Sequence, residues 1–274
     1  MLSAAPRRAA VLGSPIAHSL SPVLHNAGYA AAGLADWRYS AVECGESDLA
    51  AFVAGLDAEW AGLSLTMPLK SAGLAVADEI TPIAAAIGAA NTLVRTANGW
   101  RADNTDAPGM VDALREAGVK RVESVAILGA GGTAHAAVAA ARDLGADDIH
   151  VYARRAAAFD ELAEAADRLG TSITYGPWLD ANACADADLV VSTVPKGVTD
   201  ALRPRWRPAS TVFDALYDPW PTPFAATAAE AGATIVSGLD LLLHQAVHQF
   251  ELFTGVTAPV DAMRDALAVA AARR

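Results

Sequence analysis

Ser124-Val125-Ala126-Ile127-Leu128-Gly129-Ala130-Gly131-Gly132-Thr133-Ala134-His135 decides how the chain folds: an apolar strand runs straight into a glycine-rich turn and then an alanine-rich helix. Gly129 permits a tight turn, Gly131 lets a phosphate approach bare backbone, and Ala134 is small enough for the helix to pack on the strand. The amides that open such a helix have no partner within it, and the positive end of its dipole lies behind them. A glycine pattern of this kind also occurs in ordinary strand-to-helix connections. Its setting favours a dinucleotide cradle made by Gly129, Ala130, Gly131, Gly132, Thr133 and Ala134. Val122 to Leu128 reads as a buried strand, Thr133 to Leu144 as a helix ending at Gly145, and Ile149 to Tyr152 as the next strand.

The end of that next strand selects the cofactor. An acidic residue there would bind the ribose hydroxyls of NAD, but the chain reads Tyr152-Ala153-Arg154-Arg155. Two guanidinium groups and no carboxylate suit a 2′-phosphate, so the expectation is NADP. Strands at Leu189–Thr193 and Thr211–Leu216 continue the alternation. Their last residues Thr193 and Leu216, with the loops that follow, Val194-Pro195-Lys196-Gly197 and Tyr217-Asp218-Pro219, would border a bound nicotinamide.

With 274 residues the chain is long for one core, and two lobes are expected. Hydrophobic residues make up 53%, enough to bury large cores, and the formal net charge of −11 argues against general affinity for nucleic acid or anionic membranes. Cys44 and Cys184 have no metal or redox spacing and read as reduced cytoplasmic thiols. Met1 to Ala10 lacks the apolar stretch of a signal peptide. His244 and His248 stand four apart, but Gln245 replaces the glutamate of the zinc-protease pattern, and no metal site is expected.

The first third carries short signals. Ala9 to Leu12 reads as a strand and Ser21-Pro22 as a helix cap and first helical residue, with the helix running from Val23 to Ala32. Ser19 and Ser21 could bind a carboxylate, or could merely cap that helix. Trp37–Glu43 and Gly62–Thr66 read as strands, with a helix from Asp48 to Leu56 between them. Thr66 and Lys70 fall just past the carboxyl end of the second of these, where open α/β sheets hold ligands. Asn91 opens a further strand, Asn98-Gly99 marks a hairpin turn, and Asp106 has the form of a cap on a helix from Ala107 to Ala117.

Taken together, these motifs resemble the shikimate dehydrogenase family along nearly the whole chain. They are Gly13-Ser14-Pro15 with His18 to Pro22 and His25-Asn26, Thr66 to Lys70, Gly88 to Thr92, Asn104-Thr105-Asp106, the glycine turn, Tyr217-Asp218-Pro219, and Gly238 through Gln245. The resemblance implies NADPH-dependent reduction of 3-dehydroshikimate to shikimate, on the route to aromatic amino acids. It implies that Ser19 and Ser21 bind the substrate carboxylate and that Thr66, Asn91, Asp106 and Gln245 hold ring hydroxyls. Lys70 would be the catalytic group paired with Asp106, Tyr217 would lie near the substrate, and Gly238 would contact the nicotinamide amide. The chain departs from the family where Ser64-Leu65-Thr66 replaces the commoner Asn-Val-Thr, where Ala153-Arg154-Arg155 replaces Asn-Arg-Thr, where Ser192-Thr193-Val194-Pro195 replaces Asn-Ala-Thr-Ser, and where Ala107-Pro108 follows Asp106 in place of the usual glycine. A quinate/shikimate dehydrogenase able to use NAD is the nearest alternative, and a non-catalytic dinucleotide sensor a more distant one.

The expected architecture is two α/β lobes: residues 1–103 binding substrate, 104–237 a Rossmann-type doubly wound NADP lobe, and 238–274 closing helices that return to the first. A small-molecule partner, a monomer or homodimer and a cytoplasmic location complete the expectation.

Overall fold

The computed structural model describes residues 6–273, so the reading of Met1 to Ala10 as no signal peptide falls partly outside the described residues. The chain divides into two compact units. One takes residues up to Thr105 and returns from Gln245 onward, and the other is Asp106–His244.

The first unit begins with β1 (Arg7–Gly13), α1 (Ser21–Ala31), β2 (Trp37–Glu43), α2 (Leu49–Ala54) and β3 (Trp60–Leu65). It continues with α3 (Ala72–Ala75), β4 (Glu79–Ile80), α4 (Pro82–Ile87), β5 (Thr92–Thr96) and β6 (Gly99–Asp103). The six strands form a sheet in the order β2-β1-β3-β5-β6-β4. β1 lies parallel to both β2 and β3, whereas β5 runs antiparallel to β3 and to β6. This reversal has a functional consequence, because it returns Asn91, just ahead of β5, to the edge where β1, β3 and β6 end. There the Leu65 amide donates to the Asn91 carbonyl at 2.7 Å.

The second unit holds α5 (Asp106–Glu116), β7 (Ser124–Leu128), α6 (Gly132–Asp143), β8 (Asp148–Ala153), α7 (Ala156–Leu169) and β9 (Thr174–Pro177). After a 3₁₀ stretch at Trp178–Asp186 come β10 (Leu189–Ser192), β11 (Thr211–Asp214), α8 (Pro223–Glu230) and β12 (Thr234–Ser237). Its sheet order is β12-β11-β10-β7-β8-β9, with every pairing parallel. This is the doubly wound Rossmann order, and the strand order reverses between β7 and β10, the point where such sheets hold ligands. Parallel strands covered on both faces are apolar throughout: Val125 to Leu128 and Leu189 to Val191 are all buried.

The chain then enters α9 (Gly238–Thr254) and α10 (Val260–Ala271). In the first unit Phe253 of α9 lies over β3 so closely that a methyl group on Gly62 would overlap its ring. On α1, Met263 of α10 and Phe250 fill the space in front of Gly28.

Most sequence expectations hold to within one or two residues, and Trp37–Glu43 holds at both ends. The helix after Ser19 differs. Ser21 is its first residue and Leu20 occupies the cap position, with no side-chain cap bond. Instead the Ser21 amide donates to Ser19 Oγ at 3.3 Å. Similarly, α5 begins at Asp106 itself. The hairpin loop is Ala97-Asn98, with Thr96 paired to Gly99 at the strand start.

Because the space at Gly62 is filled by an aromatic ring, Gly62→Ala should lower stability by about 1–3 kcal/mol through overpacking. A lowered guanidinium midpoint in equilibrium unfolding is the readout.

Candidate active site

In the first unit, the candidate substrate residues come from chain segments that the sheet gathers at one edge. The loop after β1 is held to the loop after β3, since the Ser14 amide donates to the Met67 carbonyl at 3.0 Å. Gly13 has no room for a side chain, because a methyl group there would overlap Thr66 Cγ2. The Ala90 amide donates to the Lys70 carbonyl at 2.8 Å. Thr66, Lys70 and Asn91 therefore sit on adjoining backbone, and the neighbouring loop carries Ser19 and leads into Ser21, the first residue of α1. The Ser21 side chain is buried at the start of α1, and its hydroxyl has no hydrogen-bond partner among the described residues.

Asn91 is fixed by a buried chain of hydrogen bonds that begins on β2. Tyr39 donates its hydroxyl to Ser64 Oγ at 2.6 Å, and Ser64 donates to Gln249 Oε1 at 2.7 Å. The Gln249 amide group donates to the Asn91 carbonyl at 3.1 Å and to Thr92 Oγ1 at 2.9 Å. Thr92 in turn donates to Asn91 Oδ1 at 2.7 Å, and that oxygen also accepts the Thr105 amide at 2.8 Å. Asn91 Nδ2 donates to Thr105 Oγ1 at 2.9 Å. Gln249 lies one helical turn beyond Gln245 on α9, so the bonds that anchor Gln249 also set the placement of Gln245. Sequence reading missed Gln249, Ser64 and Tyr39 as a set. The one available signal was the four-residue spacing of two glutamines on an apolar helix.

His25-Asn26 has a structural role in the same unit. The Asn26 carboxamide donates to the Pro22 and Tyr39 carbonyls at 2.7 and 2.8 Å and accepts the Tyr39 amide at 3.0 Å, which ties α1 to β2. The His25 ring is fully buried and stacks on Tyr39 with centroids 4.0 Å apart. Among the described residues neither nitrogen meets a partner at hydrogen-bonding geometry, although the Gln249 side chain approaches the ring and offsets a small part of the cost of burial. Burial pushes its pKa down to about 3, so it is neutral.

In the second unit, the glycine turn sits at the sheet's switch point. Gly129 has φ +104°, a conformation that side chains disfavour. A methyl group there would also lie 2.7 Å from Thr193 Oγ1 and 3.0 Å from Val194 Cγ1. Thr193 closes the turn by donating both its amide and its hydroxyl to the Leu128 carbonyl at 2.9 Å. The Gly129 amide donates to the Tyr152 carbonyl at 2.9 Å, which places the turn beside the end of β8, two residues ahead of Arg154.

The residues present fit a dinucleotide phosphate. Around Gly131 and Gly132 there is open space, since a methyl group at either would touch nothing within 4 Å. Thr133 and Ala130 flank that space, and Ala134 is fully buried, its amide donated to the Gly131 carbonyl at 2.8 Å. The contribution of Ala134 is therefore packing. Arg154 and Arg155 are both exposed and form no ion pair among the described residues. The chain itself places no carboxylate among Tyr152-Ala153-Arg154-Arg155 at the end of β8.

Pro195 is exposed beside the buried Val194. Leu216 and Tyr217 follow β11, where the buried Asp214 accepts the Thr222 hydroxyl at 2.7 Å and the Leu216 amide at 3.2 Å. Burial raises the pKa of this carboxyl group above the usual range. The Gly238 amide donates to the Leu216 carbonyl at 3.2 Å, and a methyl group on Gly238 would overlap the Ala215 backbone. Asp106, the candidate catalytic carboxylate, is the buried first residue of α5. His244 is paired with Glu116 at 2.8 Å.

A doubly wound Rossmann unit whose β8 runs into Arg154-Arg155, joined in one chain to a mixed α/β unit with hydroxyl, amide and amine side chains near one sheet edge, has the architecture of a nicotinamide-dependent oxidoreductase. Residues 11–93 match the family description "Shikimate dehydrogenase substrate binding domain", and residues 238–268 match "Shikimate 5'-dehydrogenase C-terminal domain". The NADP(+) shikimate dehydrogenase of Methanothermobacter thermautotrophicus is 38% identical over 267 residues, covering 94% of each chain. The crystal structure of Mycobacterium tuberculosis shikimate dehydrogenase is 46% identical, with 96% of this chain and 99% of that one covered and a TM-score of 0.84. The Thermus thermophilus enzyme, solved with NADP(H) and shikimate, is 30% identical over 96% of this chain and 99% of that one, with a TM-score of 0.85. The chain belongs to the shikimate dehydrogenase family.

The neutral, buried His25 makes stability depend on pH. Its folded pKa is depressed from 6.5 to about 3, so the unfolded chain binds the extra proton. The stabilising contribution is complete above pH 6.5 and is lost as pH falls from there toward 3. The slope from this group is about 1.4 kcal/mol per pH unit. Unfolding titrations at several pH values should show that slope in the native chain and lose it in His25→Phe.

Proposed function

We propose that this protein catalyses the reversible reduction of 3-dehydroshikimate to shikimate, consuming NADPH and one proton and releasing NADP⁺, as a step toward aromatic amino acids. The observation that carries this reading is the pairing, within one chain of this family, of the glycine turn and arginine pair with the polar edge of the first unit. The first unit is assigned the substrate and the second the cofactor.

Bound NADPH supplies the hydride. Gly131, Gly132, Thr133 and Ala130 hold its phosphates at the start of α6, while Arg154 and Arg155 bind the 2′-phosphate through charge-assisted hydrogen bonds. Gly129 shapes the turn and Ala134 packs the helix behind it. Thr193, Val194, Pro195, Leu216 and Gly238 are assigned to the nicotinamide side.

Ser19 and Ser21 bind the substrate carboxylate, and the partnerless Ser21 hydroxyl supports this. Thr66, Asn91, Asp106 and Gln245 hold the ring hydroxyls, and Tyr217 lies against the substrate. As the ketone is reduced, negative charge builds on its oxygen, and Lys70 lowers the barrier by supplying positive charge and the proton. Asp106 acts in the same step as the carboxylate that orients a substrate hydroxyl.

The partner is thus a small carboxylic acid and not a nucleic acid, in keeping with the net charge of −11. Among the described residues no helix is long and apolar enough to cross a membrane. Cytoplasmic residence is part of the same reading, supported by two free, buried cysteines. A monomer or homodimer suffices for this chemistry.

Shikimate-dependent reduction of NADP⁺, followed by absorbance, tests the activity. Quinate and NAD⁺ run in parallel test the alternative of a quinate enzyme. Lys70→Ala should lower kcat by about 10²–10⁴-fold with a smaller effect on shikimate KM, and near-normal turnover would remove Lys70 from catalysis. Arg154→Ala and Arg155→Ala should each raise the KM for NADPH by about 10–100-fold, the loss of one charge-assisted contact, and leave the KM for shikimate unchanged.

A further inference from the structure

The loop that carries Ser19 and leads into Ser21 is anchored in part by a side chain from the strand beside it. Glu43 ends β2, and its carboxylate reaches across to the loop following β1. Oε1 accepts the Ser14 hydroxyl at 2.6 Å, and Oε2 accepts the Ile16 amide at 3.0 Å. Backbone bonds hold the segment as well, among them the Ser14 amide to the Met67 carbonyl at 3.0 Å and the Ser19 amide to the Ile16 carbonyl at 2.9 Å. Ile16 is therefore the hinge of the loop. Its amide is fixed by Glu43, and its carbonyl fixes Ser19, whose Oγ then accepts the Ser21 amide at 3.3 Å.

We infer that Glu43 is a positioning residue for the substrate carboxylate site: it holds the Ser14–Ile16 segment and, through Ile16, the two serines. This inference rests on the reading of Ser19 and Ser21 as the carboxylate-binding pair. Glu43 does not touch substrate. Both of its oxygens are engaged by the loop, and hydrogen bonds to an ionised acceptor are among the stronger ones available to a side chain. Because Glu43 is exposed, its removal deletes the clamp without opening a cavity in the core.

The chemistry of the clamp predicts which replacement works. A glutamine can accept the Ile16 amide with Oε1 and donate to Ser14 Oγ with Nε2, since a hydroxyl both donates and accepts. An alanine can do neither. Ser14→Ala removes one of the two bonds and leaves the other.

The test is steady-state kinetics of shikimate oxidation by the full-length protein. Glu43→Ala should raise the KM for shikimate about tenfold, with kcat within about twofold and the KM for NADP⁺ unchanged. Glu43→Gln should stay within about twofold of wild type on all three, with Ser14→Ala between the two. A general loss of fold would instead move kcat and both KM values together, and would not be rescued by glutamine. An unmoved shikimate KM in Glu43→Ala, a proportionate loss in all constants, or a Glu43→Gln as impaired as alanine would each overturn the inference. If Glu43→Ala does not fold, Ser14→Ala decides on the same criterion. Absent shikimate oxidation by wild type would instead refute the underlying functional reading, so the two failures are distinguishable.

Discussion

The substrate side of this protein depends on one antiparallel strand. Had β5 followed β3 in parallel, Asn91 would have entered the sheet at the opposite edge from Thr66, Lys70 and the serine loop. Running backward, it starts where its neighbours stop, and the Leu65 amide meets the Asn91 carbonyl. This position needs buried polar groups, which are costly unless every one is satisfied. The hydrogen-bonded chain from Tyr39 through Ser64, Gln249 and Thr92 to Asn91 and Thr105 meets that demand. Removing a member would leave partners unsatisfied at a cost of about 1–3 kcal/mol each. The same bonds make the carboxamide rigid.

The cofactor side follows a different logic, in which the working groups are backbone atoms. Gly129 is excluded from bearing a side chain both by its positive φ and by Thr193, whereas Gly131 and Gly132 face open space. The first glycine is thus required by the fold, and the other two leave room for a ligand. Arg154 and Arg155, exposed and without ion pairs among the described residues, are the side chains proposed to favour a phosphorylated ribose.

How much of this could be read in advance varied with the range of the interactions. The βαβ frame around Gly129, the strand Trp37–Glu43 and the arginine pair are local, set by spacing and residue type within a few positions. The loop residues of the first unit were legible only as an ordered set of motifs, since a serine before a proline or an asparagine before a strand has ordinary structural uses. Ser21 illustrates the ambiguity: its sequence context has the form of a cap, yet it is the first helical residue, and Ser19 accepts its amide. Gln249 and Glu43 were invisible for another reason. Their partners lie 157–185 and 27–29 residues away along the chain. No periodicity encodes a contact of that span. α8 was missed because its alanine-rich segment lacks a sharp polar face, and α10 was expected only as one of the closing helices, without bounds.

The discontinuity of the first unit has a consequence for how the protein comes into being. A ribosome releases all of Asp106–His244 before Gln249, Phe250 and Phe253, in the later turns of α9, emerge. The Rossmann half can therefore complete its sheet while the nascent N-terminal strands still have Ser64 and Thr92 without their glutamine and Gly62 without its aromatic cover. The polar edge assigned to the substrate is thus the last part of the molecule to be finished during translation.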